Sequence, residues 1–244
     1  MKMKSLSIIA ISLTLLITSF FIQSCSDSKN NDEMNSPSSL QIDSSLLLIK
    51  QRDDSLLIPL AEGNEWIFDV SYQDMATGTM LKPNDEFPFP TADTLYVHGS
   101  TELDGNPCSL IRTLAVPKGG TWYTNRAKGM YSWPQDPDDT TSTPVFSLTY
   151  KYPATKGETY TANGVSVEVK DTAASITVPA GTFKCFYYYS VSKAPGGGSF
   201  ENFVWLAKGI GMIRNEAIMR SKGVEPVRRI VALRRFTHAA LKQQ

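Results

Sequence analysis

The chain has 244 residues, with 24 Lys and Arg against 24 Asp and Glu, two His and three Cys. A balance of that kind provides no basic field, and it argues against nucleic acid as a partner. Charge is uneven along the chain: from Trp205 on there are nine Lys or Arg and two Glu, which reads as a solvated strand face because Arg228, Arg229, Arg234 and Arg235 alternate imperfectly around Ile230 to Leu233.

Lys2 and Lys4 precede an uncharged apolar run from Ile8 to Ile22. That run is short for a membrane span and suits the core of a secretory signal. It ends at Ile22-Gln23-Ser24-Cys25, which resembles the lipobox of bacterial lipoproteins, although Gln23 stands where a small or aliphatic residue is usual. The resemblance implies that residues 1–24 are removed and that Cys25 is acylated as the mature N-terminus, a firm anchor because more than one chain is attached. An ordinary cleaved signal followed by a stray Cys is the alternative. Removing Lys2 and Lys4 from the 24 basic residues leaves 22 against 24 acidic ones in the mature chain.

Residues 25–45 are rich in Ser, Asp and Asn, a composition that buries too little to order itself, and they read as a disordered tether. Asp27, Asp32 and Glu33 close behind Cys25 resemble the signal by which some Gram-negative bacteria place lipoproteins on the cell surface. The alternative is an outer membrane anchor facing the periplasm. Residues 46–244 then form a single β-rich domain, since no linker or change of composition divides them.

Ser45 to Leu57 is the best helical stretch, with Leu46, Ile49 and Leu56 near one stripe. The rest of the domain reads as nearly all strand. Trp66, Phe68, Val70 and Tyr72 alternate with Ile67, Asp69 and Ser71; Cys108, Leu110, Leu114 and Val116 share a face; so do Phe146, Leu148, Tyr150 and Tyr152, and again Val165, Val167 and Val169. From Ile176 to Arg214 the punctuation is that of a meander: a turn at Pro179-Ala180-Gly181, a loop at Pro195 and the glycines after it, and a turn at Lys208-Gly209-Ile210-Gly211. One polar face per strand implies antiparallel pairing. The predicted fold is mainly β, a curved antiparallel sheet or open half-barrel with few helices.

Pro59-x-x-x-Gly63-x-x-Trp66 is echoed by Pro153-x-x-x-Gly157-x-x-Tyr160. Each Pro ends an extended segment and each Gly permits the reversal that delivers an aromatic to the sheet. Either two sheet halves are alike or one turn is used twice. Together with Pro179-Ala180-Gly181, Phe183, Gly209, Gly211 and Ile213, these motifs resemble a group of uncharacterised Gram-negative outer membrane lipoproteins. Lys208 stands where that group often has Pro. In outline such proteins are similar to the curved half-barrels of the LolA and LolB lipoprotein carriers, which cup acyl chains around helices this chain scarcely offers.

No sequence motif of catalysis is present, and no catalytic residue, metal ligand or cofactor is assigned. His98 and His238 lack the neighbours an acid–base centre needs and read as surface or satisfied histidines. Gly196, Gly197 and Gly198 lack the helix a phosphate loop opens. Asp136, Asp138 and Asp139 lack an EF-hand's glycine and closing glutamate and read as a solvated loop. Cys108 and Cys185 sit on apolar faces in an oxidising compartment, so both a disulfide and two buried thiols remain open.

Trp122, Tyr123, Tyr131 and Trp133 cluster along a hairpin-like segment. They are cross-strand core, or a ligand-stacking platform for a glycan or lipid in one concavity. The sequence thus predicts an envelope lipoprotein held to the membrane through acylated Cys25, not an enzyme, acting as a binding or structural module for a lipid or glycan or for protein partners it does not name. A carrier of acyl chains and a glycan-binding or glycan-hydrolysing surface protein are the alternatives.

Overall fold

The computed structural model describes residues 56–83, 89–103, 105–135, 143–194 and 197–239. The leader, Cys25, the tether, Asp136, Asp138, Asp139 and Gly196 lie outside the described residues, as does all but the end of the predicted helix; Leu56 and Leu57 are irregular.

The first seven strands are β1 (Glu65–Asp74), β2 (Met80–Leu81), β3 (Ala92–Leu103), β4 (Asn106–Thr113), β5 (Val116–Arg126), β6 (Gly129–Gln135) and β7 (Ser147–Lys151). Six more complete the chain: β8 (Thr159–Ala162), β9 (Val165–Val178), β10 (Gly181–Ala194), β11 (Gly198–Ala207), β12 (Gly211–Ser221) and β13 (Val224–Thr237). All ladders are antiparallel, in the order β7-β6-β5-β4-β3-β1-β13-β12-β11-β10-β9-β8, with β2 paired to β1. The sheet rolls into a barrel that is nearly closed, with one seam where β7 meets β8. The predicted β class holds, the sheet closes further than a half-barrel, and no helix forms among the described residues.

That order divides into two meanders of six strands. β1 and β3 to β7 form one; β8 to β13 form the other. The sequence echo marks corresponding turns. Gly63 N–H donates to Val97 O and Val97 N–H to Asn64 O; Gly157 N–H donates to Val169 O and Val169 N–H to Glu158 O. The two glycines have φ of +82° and +83°, a region open to Gly without a steric cost. A second echo appears at the fourth strand of each half, where Ala127-Lys128-Gly129 and Ala207-Lys208-Gly209 make the exit turns. The halves are therefore alike beyond a single shared turn.

The halves are joined differently at their two meetings. β1 and β13 share a full ladder from Glu65 with Thr237 to Asp74 with Val227. β7 and β8 are held by side chains: the Tyr160 hydroxyl donates to Thr149 O at 3.2 Å, the Tyr188 hydroxyl to Lys151 O at 2.8 Å, and the Lys151 ammonium pairs with Glu158.

One end of the barrel is closed by the segment preceding β1. Leu57, Ile58, Pro59, Leu60 and Ala61 are buried, and the carbonyls of Ile58, Pro59 and Leu60 are collected by polar side chains. Ser109 Oγ donates to Leu60 O at 2.7 Å, Asn125 Nδ2 to Ile58 O at 3.1 Å, and Asn64 Nδ2 to Pro59 O at 3.1 Å. An extended plug inside a barrel has no ladder of its own, so these bonds satisfy backbone groups that burial would otherwise leave unpaired. Trp66 completes the closure, stacked on Phe236 with Nε1 donating to Ile210 O.

Two predicted strand faces are corrected. Cys108 and Val116 are on different strands, because the chain reverses at Leu114-Ala115 and leaves Leu114 62% exposed. That turn has no Gly or Pro; Thr113 Oγ1 accepts from Ala115 N–H and shapes it. Tyr150 faces away from Leu148, since the register with β6 shifts between Met130 and Tyr131 and a bulge at Thr149 changes the phase.

Candidate functional site

Alternate side chains of the rolled sheet line an interior cavity of about 210 Å³ and a second of about 130 Å³ behind it. Phe68, Leu95, Tyr123, Tyr150 and Met212 belong to both walls and form the waist between them. The second cavity runs to the plug, where Ile58, Trp66, Met130 and Leu206 line it.

Strand register arranges the larger cavity in levels. Tyr72 pairs with Arg229, Arg229 with Ala217, Ala217 with Asn202, and Asn202 with Ser190. Those five positions form a belt across β1, β13, β12, β11 and β10, and four of them are polar. One level closer to the plug the row is Val70, Val231, Asn215, Val204 and Tyr188. On the other side of the belt stand Val227, Met219 and Phe200. The period-two rule places all of these inside, because each is in phase with the buried residues of its strand.

Arg229 is 8% exposed, an unusual place for a guanidinium. Its nearest carboxylate oxygen is Asp93 Oδ2 at 3.8 Å, beyond hydrogen-bond length. Asp93 is held by other groups: Oδ1 accepts from Thr113 Oγ1 at 2.6 Å and from Thr94 N–H at 2.8 Å. Burial raises the Tyr72 pKa, with the nearby Arg229 charge opposing it. Burial also pushes Tyr123 up to about 12 and carries Tyr150 and Tyr188 above their ordinary values. These phenols stay protonated at neutral pH, so the larger cavity presents hydroxyls and one charge pair, and Arg112 adds a guanidinium to the wall of the smaller one.

The four aromatics singled out in the sequence do not share a concavity. Tyr123 lines both cavities. Trp122 pairs across strands with Trp133, and Tyr131 with Thr124, out of phase with Tyr123, so these three share the other face of the sheet. There the Arg126 guanidinium lies 5.0 Å from the Tyr131 ring centre and 5.2 Å from that of Phe146, and Phe146 meets Trp133 edge-on. A second outer cluster, missed in the sequence, stacks Tyr187 on Trp205 at 4.6 Å and sets Tyr189 tilted against Phe203 at 5.0 Å.

Cys108 and Cys185 are both buried thiols, not bonded to each other. They occupy the third strand of each half, with five strands between them in the sheet order, so of the two readings left open the structure holds the thiols. Burial drives the Cys185 thiol up to about 12, which leaves it without thiolate character at neutral pH. His98 is exposed and His238 half-buried beside Phe236; neither lines a cavity. Among the described residues no group of His, Cys, Asp and Glu is placed to hold a metal, and no helix is long and apolar enough to cross a membrane.

Residues 136–224, most of the second half, match the model of the family described as DUF3108-like. No curated protein matches the chain. Two solved structures are similar. One, from Parabacteroides distasonis ATCC 8503, is assigned by inference as a lipoprotein; it is 14% identical, covers 75% of this chain and 99% of its own, with a TM-score of 0.40. The other, from Bacteroides fragilis NCTC 9343, is assigned by inference as an exported protein with a YmcC-like fold, at 16% identity, 75% and 100% coverage and a TM-score of 0.38.

Proposed function

We propose that this chain is an envelope lipoprotein, held at the outer membrane by acylated Cys25, whose barrel lumen binds a small ligand without transforming it. The observation that carries the reading is the interior cavity, largely apolar and crossed by one polar belt, the composition of a site that buries a ligand and orients it by a few groups. The uncharged Ile8 to Ile22 run and the Cys25 junction support the anchor. A binding role is favoured over glycoside hydrolysis because, among the described residues, the cavity walls carry a single carboxylate, Asp93, where that chemistry uses a facing pair.

The second reading, a carrier of acyl chains, is favoured by the apolar path through the waist to the plug. Native mass spectrometry of the full chain released from bacterial membranes tests both. A co-purifying lipid supports lumen binding, a glycan mass moves the site to the outer cluster of Trp122, Tyr131 and Trp133, and a bare polypeptide removes the ligand reading. Metabolic labelling with palmitate tests Cys25: label lost in Cys25→Ser supports the anchor, and label retained there overturns it.

A further inference from the structure

Resting on the lumen reading, the geometry points to a ligand class: an amphiphile with one acyl chain and an uncharged, hydrogen-bonding head, the head at the Tyr72–Arg229–Asn202–Ser190 belt and the chain directed through the waist to the plug. Three observations lead there.

The first is charge. Arg229 and Asp93 are the only ionised groups on the wall of the larger cavity among its described residues, and they compensate one another. An anionic head at the belt would leave the larger cavity with an uncompensated negative charge in a poorly solvated space. A hydroxyl or amide head adds no charge and bonds in both senses, accepting from Arg229 and donating to Asp93.

The second is unused bonding capacity. A guanidinium has five N–H donors, and Arg229 meets the Tyr72 hydroxyl and a carboxylate oxygen 3.8 Å away. Asp93 spends Oδ1 on Thr113 and Thr94, and its Oδ2 faces Arg229 from beyond bonding distance. A polar head between the two groups would complete both.

The third is shape. Cavities of about 210 and 130 Å³ joined at a waist stand at the lower edge of ligand sites, which run from about 300 Å³ upward. That space admits one chain. Below the belt the wall becomes Val231 and Val204 beside Asn215 and Tyr188, and then Phe68, Leu95 and Met212 at the waist, a mainly apolar surface for methylenes.

The test uses the whole mature chain made without the leader and with Cys25→Ser, and reads displacement of the neutral dye phenylnaphthylamine by monolaurin and by laurate, which share a chain and differ in head. Monolaurin is expected to bind at least about tenfold tighter at neutral pH. Asp93→Asn keeps the shape and makes the larger cavity positive, so laurate affinity should rise at least about tenfold while monolaurin changes little. Ala217→Leu, which puts bulk into the belt, should weaken monolaurin by a similar factor and also locates the head. Equal affinity for the two lipids, or an Asp93→Asn variant with unchanged preference, overturns the head assignment and leaves lumen binding standing. Dye and both lipids failing to bind would overturn the lumen reading itself.

Discussion

The Tyr188 hydroxyl donates to the Lys151 carbonyl at 2.8 Å, so a side chain from β10 makes the bond that a neighbouring strand would otherwise make to the edge of β7. Replacing it by Phe leaves that carbonyl short of its donor in a partly buried place. Tyr188→Phe is expected to cost about 1–2 kcal/mol and Tyr160→Phe, whose bond to Thr149 is longer, about half as much. Urea unfolding checks this as a shift in midpoint at constant slope; a Tyr188→Phe midpoint equal to wild type would mean that the seam bond contributes nothing.

The same tyrosines set an alkaline limit. Burial raises Tyr123 to about 12 and Tyr150, Tyr160 and Tyr188 further, above the unfolded value of about 10. Their contribution is complete below that unfolded value and is lost as pH rises through the folded ones. Unfolding above about pH 10 should therefore release tyrosinate absorbance and lose strand circular dichroism together. Full tyrosinate absorbance with the dichroism intact would contradict it.

Acid acts on the seam in the opposite sense. The Lys151 side chain, then the Thr155 N–H, hold the Glu158 carboxyl below its ordinary value. Its contribution is present above the unfolded value of about 4.3 and is lost as pH falls through the folded one. Glu158→Gln should flatten the acid limb of a stability profile there; an unchanged limb would assign the acid sensitivity to other carboxylates.

Gly129 and Gly78 both have positive φ and differ in surroundings. A Cβ on Gly129, at φ +135°, would lie 2.2 Å from Tyr150 O and 2.8 Å from Tyr152 N, while one on Gly78 meets nothing within 4 Å. Gly129→Ala is expected to cost on the order of 3 kcal/mol or more and Gly78→Ala about 1 kcal/mol. Thermal unfolding of the two variants side by side reads the difference, and equal costs would deny the close approach of β6 and β7.

Cys108 and Cys185 should be silent to thiol reagents in the folded chain and both react once it is unfolded, with an intact mass equal to that of the reduced form. Burial at 1% and 0% exposure is the reason. Labelling of either in the native state would require an opening the barrel does not display.

Turn chemistry and alternation made the architecture legible. Phe68, Val70 and Tyr72 kept period two, and Gly63 and Gly157 marked reversals. Phase was harder to read than period. Thr149 bulges without a Gly to announce it, and Leu114 turns on a threonine hydroxyl. The lumen's chemistry was hidden for a related reason: Arg229 reads as one of four surface arginines, and only its phase with Val227, Val231 and Leu233 marks it as inward. Asp93 gave no signal, because what holds it, Thr113, is twenty residues away. Arg228, Arg234 and Arg235 did behave as a surface face, paired with Glu216, Asp69 and Glu65.

A barrel left open along one line has two strand edges, and exposed edges recruit other chains into intermolecular sheets. Here two β7 carbonyls, those of Thr149 and Lys151, already carry tyrosine donors, and Lys151 and Glu158 set opposite charges on the facing edges. A strand arriving from a second molecule would have to displace phenols and desolvate an ion pair before gaining its first ladder bond. The gap in the ring is thereby guarded against fibre-like association, and Tyr160→Phe combined with Tyr188→Phe would remove part of that guard along with the stability.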